Sequence, residues 1–72
     1  MDYMALDDAI EAEIEAGNNT LHTLDVKLTG MGLVYAPVNT RSDRVIGRRL
    51  QAMKRKGRLA YDKSEGIWRK RG

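Results

Sequence analysis

The sequence has 72 residues, 42% of them hydrophobic, which limits it to one small domain with a modest core. It contains no cysteine and a single histidine, so disulfide bonds and zinc–thiolate sites are excluded, and we expect no metal, no cofactor and no enzymatic activity. The net charge is +3, and no apolar run approaches the roughly 20 residues of a membrane span, so we expect a cytoplasmic protein with no membrane partner.

The charge is distributed unevenly along the chain. Residues 1–26 contain seven acidic side chains and no lysine or arginine, whereas residues 27–72 contain all thirteen basic side chains and three acidic ones. A strongly basic half is typical of proteins that bind polyanions. The alternative is that the two halves neutralise each other within one fold, and charge alone favours neither explanation.

The first predicted element is a helix over residues 3–16. Leu6, Ile10 and Ile14 recur at every fourth position and form one apolar stripe, and four alanines favour the helical conformation. Gly17, followed by two asparagines, predicts the end of the helix. We expect the acidic side chains of this helix on its solvent side.

A shorter helix is predicted over residues 23–29. Thr23 is a candidate N-cap, and Leu24 and Leu28 fall on one face. The glycines at positions 30 and 32 are typical of a turn and predict that the helix ends before them.

Residues 33–39 predict a connector. We expect it to be extended at Ala36, because the proline that follows disfavours the helical conformation there. Thr40 and Asp43 stand three positions apart and resemble a capping box, which predicts the start of the next helix.

The third predicted helix covers residues 41–56 and ends at Gly57. Ile46, Leu50 and Met53 form its apolar face. The opposite face and the end of this helix carry the long polar side chains Arg41, Arg44, Arg48, Gln51 and Arg55, followed by Lys54, Lys56 and Arg58. No acidic residue follows Asp43 on this helix, so like charges repel along the exposed face unless an anionic partner is present.

Residues 58–70 predict a β-hairpin, with two short strands around the turn formers of residues 62–66. Because side chains alternate between the two faces of a strand, Leu59, Tyr61 and Trp68 are expected to share the inner face. The predicted core therefore contains Leu6, Ile10, Ile14, Leu24, Leu28, Ile46, Leu50, Met53, Leu59, Tyr61 and Trp68.

The exposed face of the third helix suits the major groove of DNA. Arginine can bond bidentately to guanine and glutamine to adenine, while lysines at a helix end can contact phosphates. A purely solvating polar face is the plainer interpretation, but such a face usually mixes charges of both signs. The basic stripe therefore favours a nucleic-acid partner.

The order of elements resembles the winged helix-turn-helix family of DNA-binding domains, and residues 45–59 (VIGRRLQAMKRKGRL) are similar to a recognition helix running into a wing. The resemblance implies an α+β fold of three helices and a C-terminal β-hairpin over residues 1–72. It also implies a small transcriptional or recombination accessory regulator that binds duplex DNA, located in the cytoplasm or nucleoid. The small size, without a ligand domain, favours a phage, prophage or plasmid regulator.

We expect base contacts from Arg44, Arg48 and Gln51, and phosphate contacts from the end of the helix and from the wing. The expected DNA-binding residues are Arg41, Arg44, Arg48, Gln51, Lys54, Arg55, Lys56, Arg58, Lys63, Arg69, Lys70 and Arg71. Two alternatives remain open: a protein-interaction module without a nucleic-acid partner, and a binder of structured RNA. A homodimer, or a basic protein docked on the acidic first helix, is also compatible with the sequence.

Overall fold

The computed structural model describes residues 3–36 and 40–71. In these ranges the chain forms three helices, α1 (Met4–Glu15), α2 (Leu21–Tyr35) and α3 (Ser42–Arg55), and then two strands, β1 (Leu59–Asp62) and β2 (Ile67–Lys70). The strands form an antiparallel two-stranded sheet, so the predicted α+β layout is confirmed. None of the helices described is both long and apolar enough to cross a membrane.

Helix α1 buries the stripe that the sequence predicted. Leu6 and Ile10 are fully buried and Ile14 nearly so. The expectation that all acidic side chains of this helix face solvent is wrong for Asp7, which is only 4% exposed. Asp7 lies three residues before Ile10 and therefore on the same face, and an arginine of α3 compensates its charge.

Helix α2 is longer than predicted. Its N-cap is Thr20 rather than Thr23, and the two threonines form a reciprocal capping box. The helix then continues to Tyr35, with a local departure from helical backbone angles at Leu28 (φ −116°, ψ 17°). The glycines at positions 30 and 32 do not end it.

Gly32 serves the packing of α2 on α3. A Cβ atom added to Gly32 would lie 2.9 Å from the Cβ of Ser42, closer than real Cβ contacts allow. The hydroxyl of Ser42 also donates to a carboxylate oxygen of Asp25 in α2. Gly32 therefore allows the end of α2 to approach the start of α3. The glycine serves this packing and does not form a turn.

The connector is shorter than predicted, because residues 33–35 belong to α2. Ala36 is extended (φ −77°, ψ 133°), as expected, and residues 37–39 lie outside the described residues. The predicted capping box of Thr40 and Asp43 is wrong. The N-cap is Arg41, whose guanidinium instead binds the Asp43 carboxylate at 2.8 Å.

Helix α3 ends as the sequence predicted, at a glycine with positive φ. Gly57 has φ 82°, the amide of Gly57 donates to the carbonyl of Lys54, and the amide of Arg58 donates to the carbonyl of Met53 at 2.9 Å. These two bonds form a Schellman motif, which satisfies carbonyls at the helix end and turns the chain towards β1.

The hairpin lies against α1 and α3 through its inner face. Tyr61 pairs with Trp68 across the strands, so the predicted register is confirmed, and Leu59 and Trp68 are buried. The prediction of Tyr61 in the core is wrong, since it is 40% exposed. It lies directly opposite Trp68 and two pairs nearer the loop than Leu59, with the ring centroids of Tyr61 and Trp68 4.9 Å apart. The backbone amide of Trp68 donates to the carbonyl of Asn19 at 2.8 Å, which joins β2 to the α1–α2 loop.

All five elements contribute to one core. Besides Tyr61, two residues differ from expectation: Leu28, a predicted member, is only half-buried against this core, and Val45, which was not predicted to belong to it, is buried. Val45 lies beside Ile46 on α3 and widens the buried face of that helix. The buried hydrophobic residues are Leu6, Ile10, Ile14, Leu24, Val45, Ile46, Leu50, Met53, Leu59 and Trp68.

Candidate nucleic-acid interface

The basic side chains divide into two groups by their partners. Five of the thirteen form ion pairs with carboxylates of the described residues: Arg41, Arg49, Arg58, Arg69 and Lys70. The other eight have no ion pair within residues 3–36 and 40–71: Lys27, Arg44, Arg48, Lys54, Arg55, Lys56, Lys63 and Arg71. The first group pairs with carboxylates within the fold, whereas the charges of the second group are available to an anionic partner.

Arg49 forms the most buried of these ion pairs. Its Nε and Nη2 atoms donate to the two oxygens of Asp7 at 2.9 and 2.8 Å, and its guanidinium lies 4.4 Å from the centroid of the Tyr3 ring. The hydrogen bonds with Asp7 raise the pKa of Arg49 above its ordinary value. Tyr3 in turn packs against Tyr35 at the end of α2. This cluster fixes α3 relative to both other helices.

Two further basic residues join the start and the end of the hairpin to α1 through ion pairs. Arg58 binds Glu11 at 2.6 Å and Asp8 at 3.4 Å, and Lys70 binds Glu15 at 2.6 Å. The hydrogen bond with Glu15 raises the pKa of Lys70. The opposite charges of the two halves of the chain therefore attract each other within the fold, as one interpretation of the charge distribution anticipated.

The hairpin loop is organised by Asp62. The carboxylate of Asp62 accepts hydrogen bonds from the hydroxyl and the amide of Ser64 and from the amide of Glu65. These bonds, the Ser64 hydroxyl first, hold the pKa of Asp62 below its usual range. Arg69 pairs with Glu65 at 3.3 Å and with Asp62 at 3.6 Å, so its charge is balanced within the hairpin, whereas Lys63 is exposed in the loop and has no ion pair among the described residues.

The outer face of α3 carries the largest group of cations that have no such partner. Arg44, Arg48, Gln51 and Arg55 are all exposed, because the opposite face of the helix is anchored in the core by Leu50 and its neighbours. Lys54 and Lys56 are exposed at the C-terminal end of the same helix. This end is the negative end of the helix dipole, where basic side chains are favourable.

An open groove of about 980 Å³ lies along this outer face. Arg44, Arg48, Gln51 and Arg55 line it from α3, and the ends of α2 contribute the apolar side chains Leu21 and Val34. Among the residues that line the groove the arginines outnumber the single carboxylate, that of Asp43, and exposed apolar groups form part of its wall. Sequence reasoning missed the two apolar residues, because a partly exposed leucine and valine have no pattern that distinguishes them from core residues.

The structure thus places some of the predicted DNA-binding residues on one surface and others away from it. One exposed surface is shared by Arg44, Arg48, Gln51 and Arg55, while Arg58 and Lys70 lie against α1. Within the described residues there is no group of three histidine or acidic side chains that could hold a metal ion.

Comparison of the chain with protein-family models, with curated proteins and with solved structures gave no match. Any assignment of function therefore depends on the layout of the fold and on the distribution of charge on α3.

Proposed function

We propose that this protein is a winged helix-turn-helix protein that binds duplex DNA, with α3 as its recognition helix and the hairpin as its wing. The observation that carries the proposal is the row of exposed side chains Arg44, Arg48, Gln51 and Arg55, whose arginines form no ion pair with any described residue. A polyanion in the groove would satisfy all of them at once.

The arginines on the outer face of α3 form no ion pair with a described residue, although α1 carries several carboxylates. Asp8, Glu11 and Glu15 on α1 are close enough to bind cations of the hairpin, yet none reaches the outer face of α3. Like charges four residues apart on a helix destabilise it by roughly 0.2–0.5 kcal/mol per pair. Arg44 and Arg48 stand at this spacing, and binding to phosphates would relieve the repulsion between them.

The length of the basic row fits a helix placed in the major groove. Arg44 and Arg55 are eleven residues apart, about 16 Å along a helix, whereas the groove is about 12 Å wide. When Arg44, Arg48 and Gln51 face the bases, Arg55 at the far end of the row reaches towards the phosphates at the edge of the groove. Lys54 and Lys56 are exposed at the C-terminal end of α3 and are suited to phosphate contacts.

The hairpin offers a second, smaller contact. Lys63 projects from its loop and Arg71 follows β2, and both are exposed. Arg69 and Lys70 already bind carboxylates and contribute less net charge to this surface. We therefore assign the contact of the wing to Lys63 and Arg71, with the backbone of DNA as their partner.

The proposal of a basic protein docked on α1 has less support. Asp7, Glu11 and Glu15 bind Arg49, Arg58 and Lys70 in the folded protein, so docking would have to compete with existing ion pairs. Among residues 3–36 and 40–71, a basic partner would find no row of unengaged carboxylates comparable to the arginine row of α3.

A salt series with mixed-sequence duplex DNA tests the proposal. Binding should weaken steeply with salt, and Lys54→Ala should reduce the slope of log affinity against log salt by about one, since one phosphate contact is lost. Lys27→Ala is the matched control, because it removes the same charge from an exposed position on α2, outside the proposed recognition helix. Its slope should equal that of the parent protein.

Two results would contradict the proposal. Absence of binding at low salt would exclude duplex DNA as the partner. Equal loss of slope in Lys54→Ala and Lys27→Ala would show that net charge alone attracts the DNA, without a contact surface on α3.

A further inference from the structure

An apolar side chain lies within the basic face of α3. Leu21, the first residue of α2, lines the same groove as the arginines and is 41% exposed. A Cβ atom added to Gly47 of α3 would lie 4.0 Å from Cδ1 of Leu21, at ordinary van der Waals distance. Leu21 therefore lies next to Gly47, a residue of α3 that has no side chain.

The neighbours of Gly47 define what surrounds this leucine. Arg44 lies three residues before Gly47 and Gln51 four residues after it, and residues at these spacings are adjacent on a helix surface. Both side chains line the groove together with Leu21. The methyl groups of Leu21 thus form an apolar spot beside a guanidinium and an amide, inside a surface that attracts an anion.

We propose that Leu21 contacts the C5-methyl group of a thymine and makes the protein prefer that base at one position of its site. This inference rests on the proposed binding of duplex DNA. The thymine methyl is the apolar group that the base pairs present in the major groove, and apolar side chains recognise it by contact.

Exposure alone does not single out Leu21, because α2 has a more exposed leucine. Leu33 is 54% exposed, but it does not line the groove beside α3. It is therefore the matched control: the same substitution, on the same helix, outside the proposed contact surface.

Deoxyuridine provides the test, because it lacks the methyl group of thymine and keeps every hydrogen-bonding group and charge. A preferred duplex is selected from a random-sequence pool, and each thymine is replaced singly by deoxyuridine. For the parent protein, replacement at one position should weaken binding about fourfold, as expected for loss of one buried methyl-sized group. For Leu21→Ala the thymine-to-uracil ratio at that position should fall to about one, and for Leu33→Ala it should stay at about four.

Each outcome bears on the inference. Equal affinity of the parent protein for all thymine and uracil duplexes overturns it, and so does discrimination by Leu21→Ala that equals that of the parent. The scan of the parent protein decides the question even if a variant fails to fold. Duplex binding without methyl discrimination refutes this inference alone, whereas absence of duplex binding refutes the proposed function as well.

Discussion

The ion pair between Asp7 and Arg49 gives a quantitative prediction about how α3 is held. We expect Arg49→Met to destabilise the protein by about 3–5 kcal/mol, because the substitution leaves a carboxylate in the interior without its main partner. The side chain of Asp7 is 6% exposed, and its remaining cation, Nη1 of Arg58, is 3.8 Å away. The substitution also removes the contact of the guanidinium with the Tyr3 ring.

A double-mutant cycle separates the pair from other effects. Asp7→Asn should cost less, about 1–3 kcal/mol, since Arg49 is 15% exposed and can turn towards water. The double variant has lost both the Asp7 and the Arg49 charge, so neither is left without the other. Its loss of stability should therefore be smaller than the sum of the two single losses. We expect a coupling free energy of about 1–3 kcal/mol.

Urea unfolding followed by circular dichroism measures these differences. A domain of this size has a stability of only about 3–5 kcal/mol, so the series is run with a stabilising osmolyte. Arg48→Met is the control, because Arg48 is the next residue but faces solvent, and its effect should stay within about 0.5 kcal/mol. Additive single and double losses, or equal losses for Arg48→Met and Arg49→Met, would refute the assignment of Arg49 as the residue that fixes α3 to α1.

Two further predictions concern packing and pH. Gly32→Ala should destabilise the protein by about 1–3 kcal/mol in urea unfolding, because the added Cβ would lie 2.9 Å from that of Ser42, and a loss below 0.5 kcal/mol would contradict the close approach of α2 and α3. Because the pKa of Asp62 is lower in the folded protein than in the unfolded chain, its stabilisation is present above the unfolded value and is lost as the pH falls through the folded one. The melting temperature of Asp62→Ala should therefore lie below that of the parent at pH 6 and approach it at acid pH, and a difference independent of pH would contradict the hydrogen bonding seen in the loop.

The local patterns of the sequence predicted most elements, because those patterns are set by residues a few positions apart. The four-residue apolar repeat of α1, the apolar face of α3 and the glycine that ends it are examples, and each lies within a residue of its expected place. Helix α2 is the exception. Its glycines disfavour a helix locally, but the close packing of Gly32 on Ser42 outweighs that preference, and a local pattern carries no information about a contact between two elements.

The candidate site shows the same limit. The spacing of the arginines on α3 was enough to predict that they share a face away from Leu50. It could not reveal which cations the fold would engage, because Asp7 and Arg49 are 42 positions apart and Glu15 and Lys70 are 55 apart. Arg58 and Arg48 are alike in sequence context, yet one binds α1 and the other has no ion pair among the described residues.

The bond between the amide of Trp68 and the carbonyl of Asn19 has a consequence for the speed of folding. It joins the last strand to the first loop, so the native hairpin position forms only when a segment of about fifty residues closes on itself. Three-helix bundles, which depend on contacts between successive helices, avoid this entropic barrier and fold faster. This protein should therefore fold more slowly than a bundle of equal length, and its three helices should form before Trp68 packs into the core.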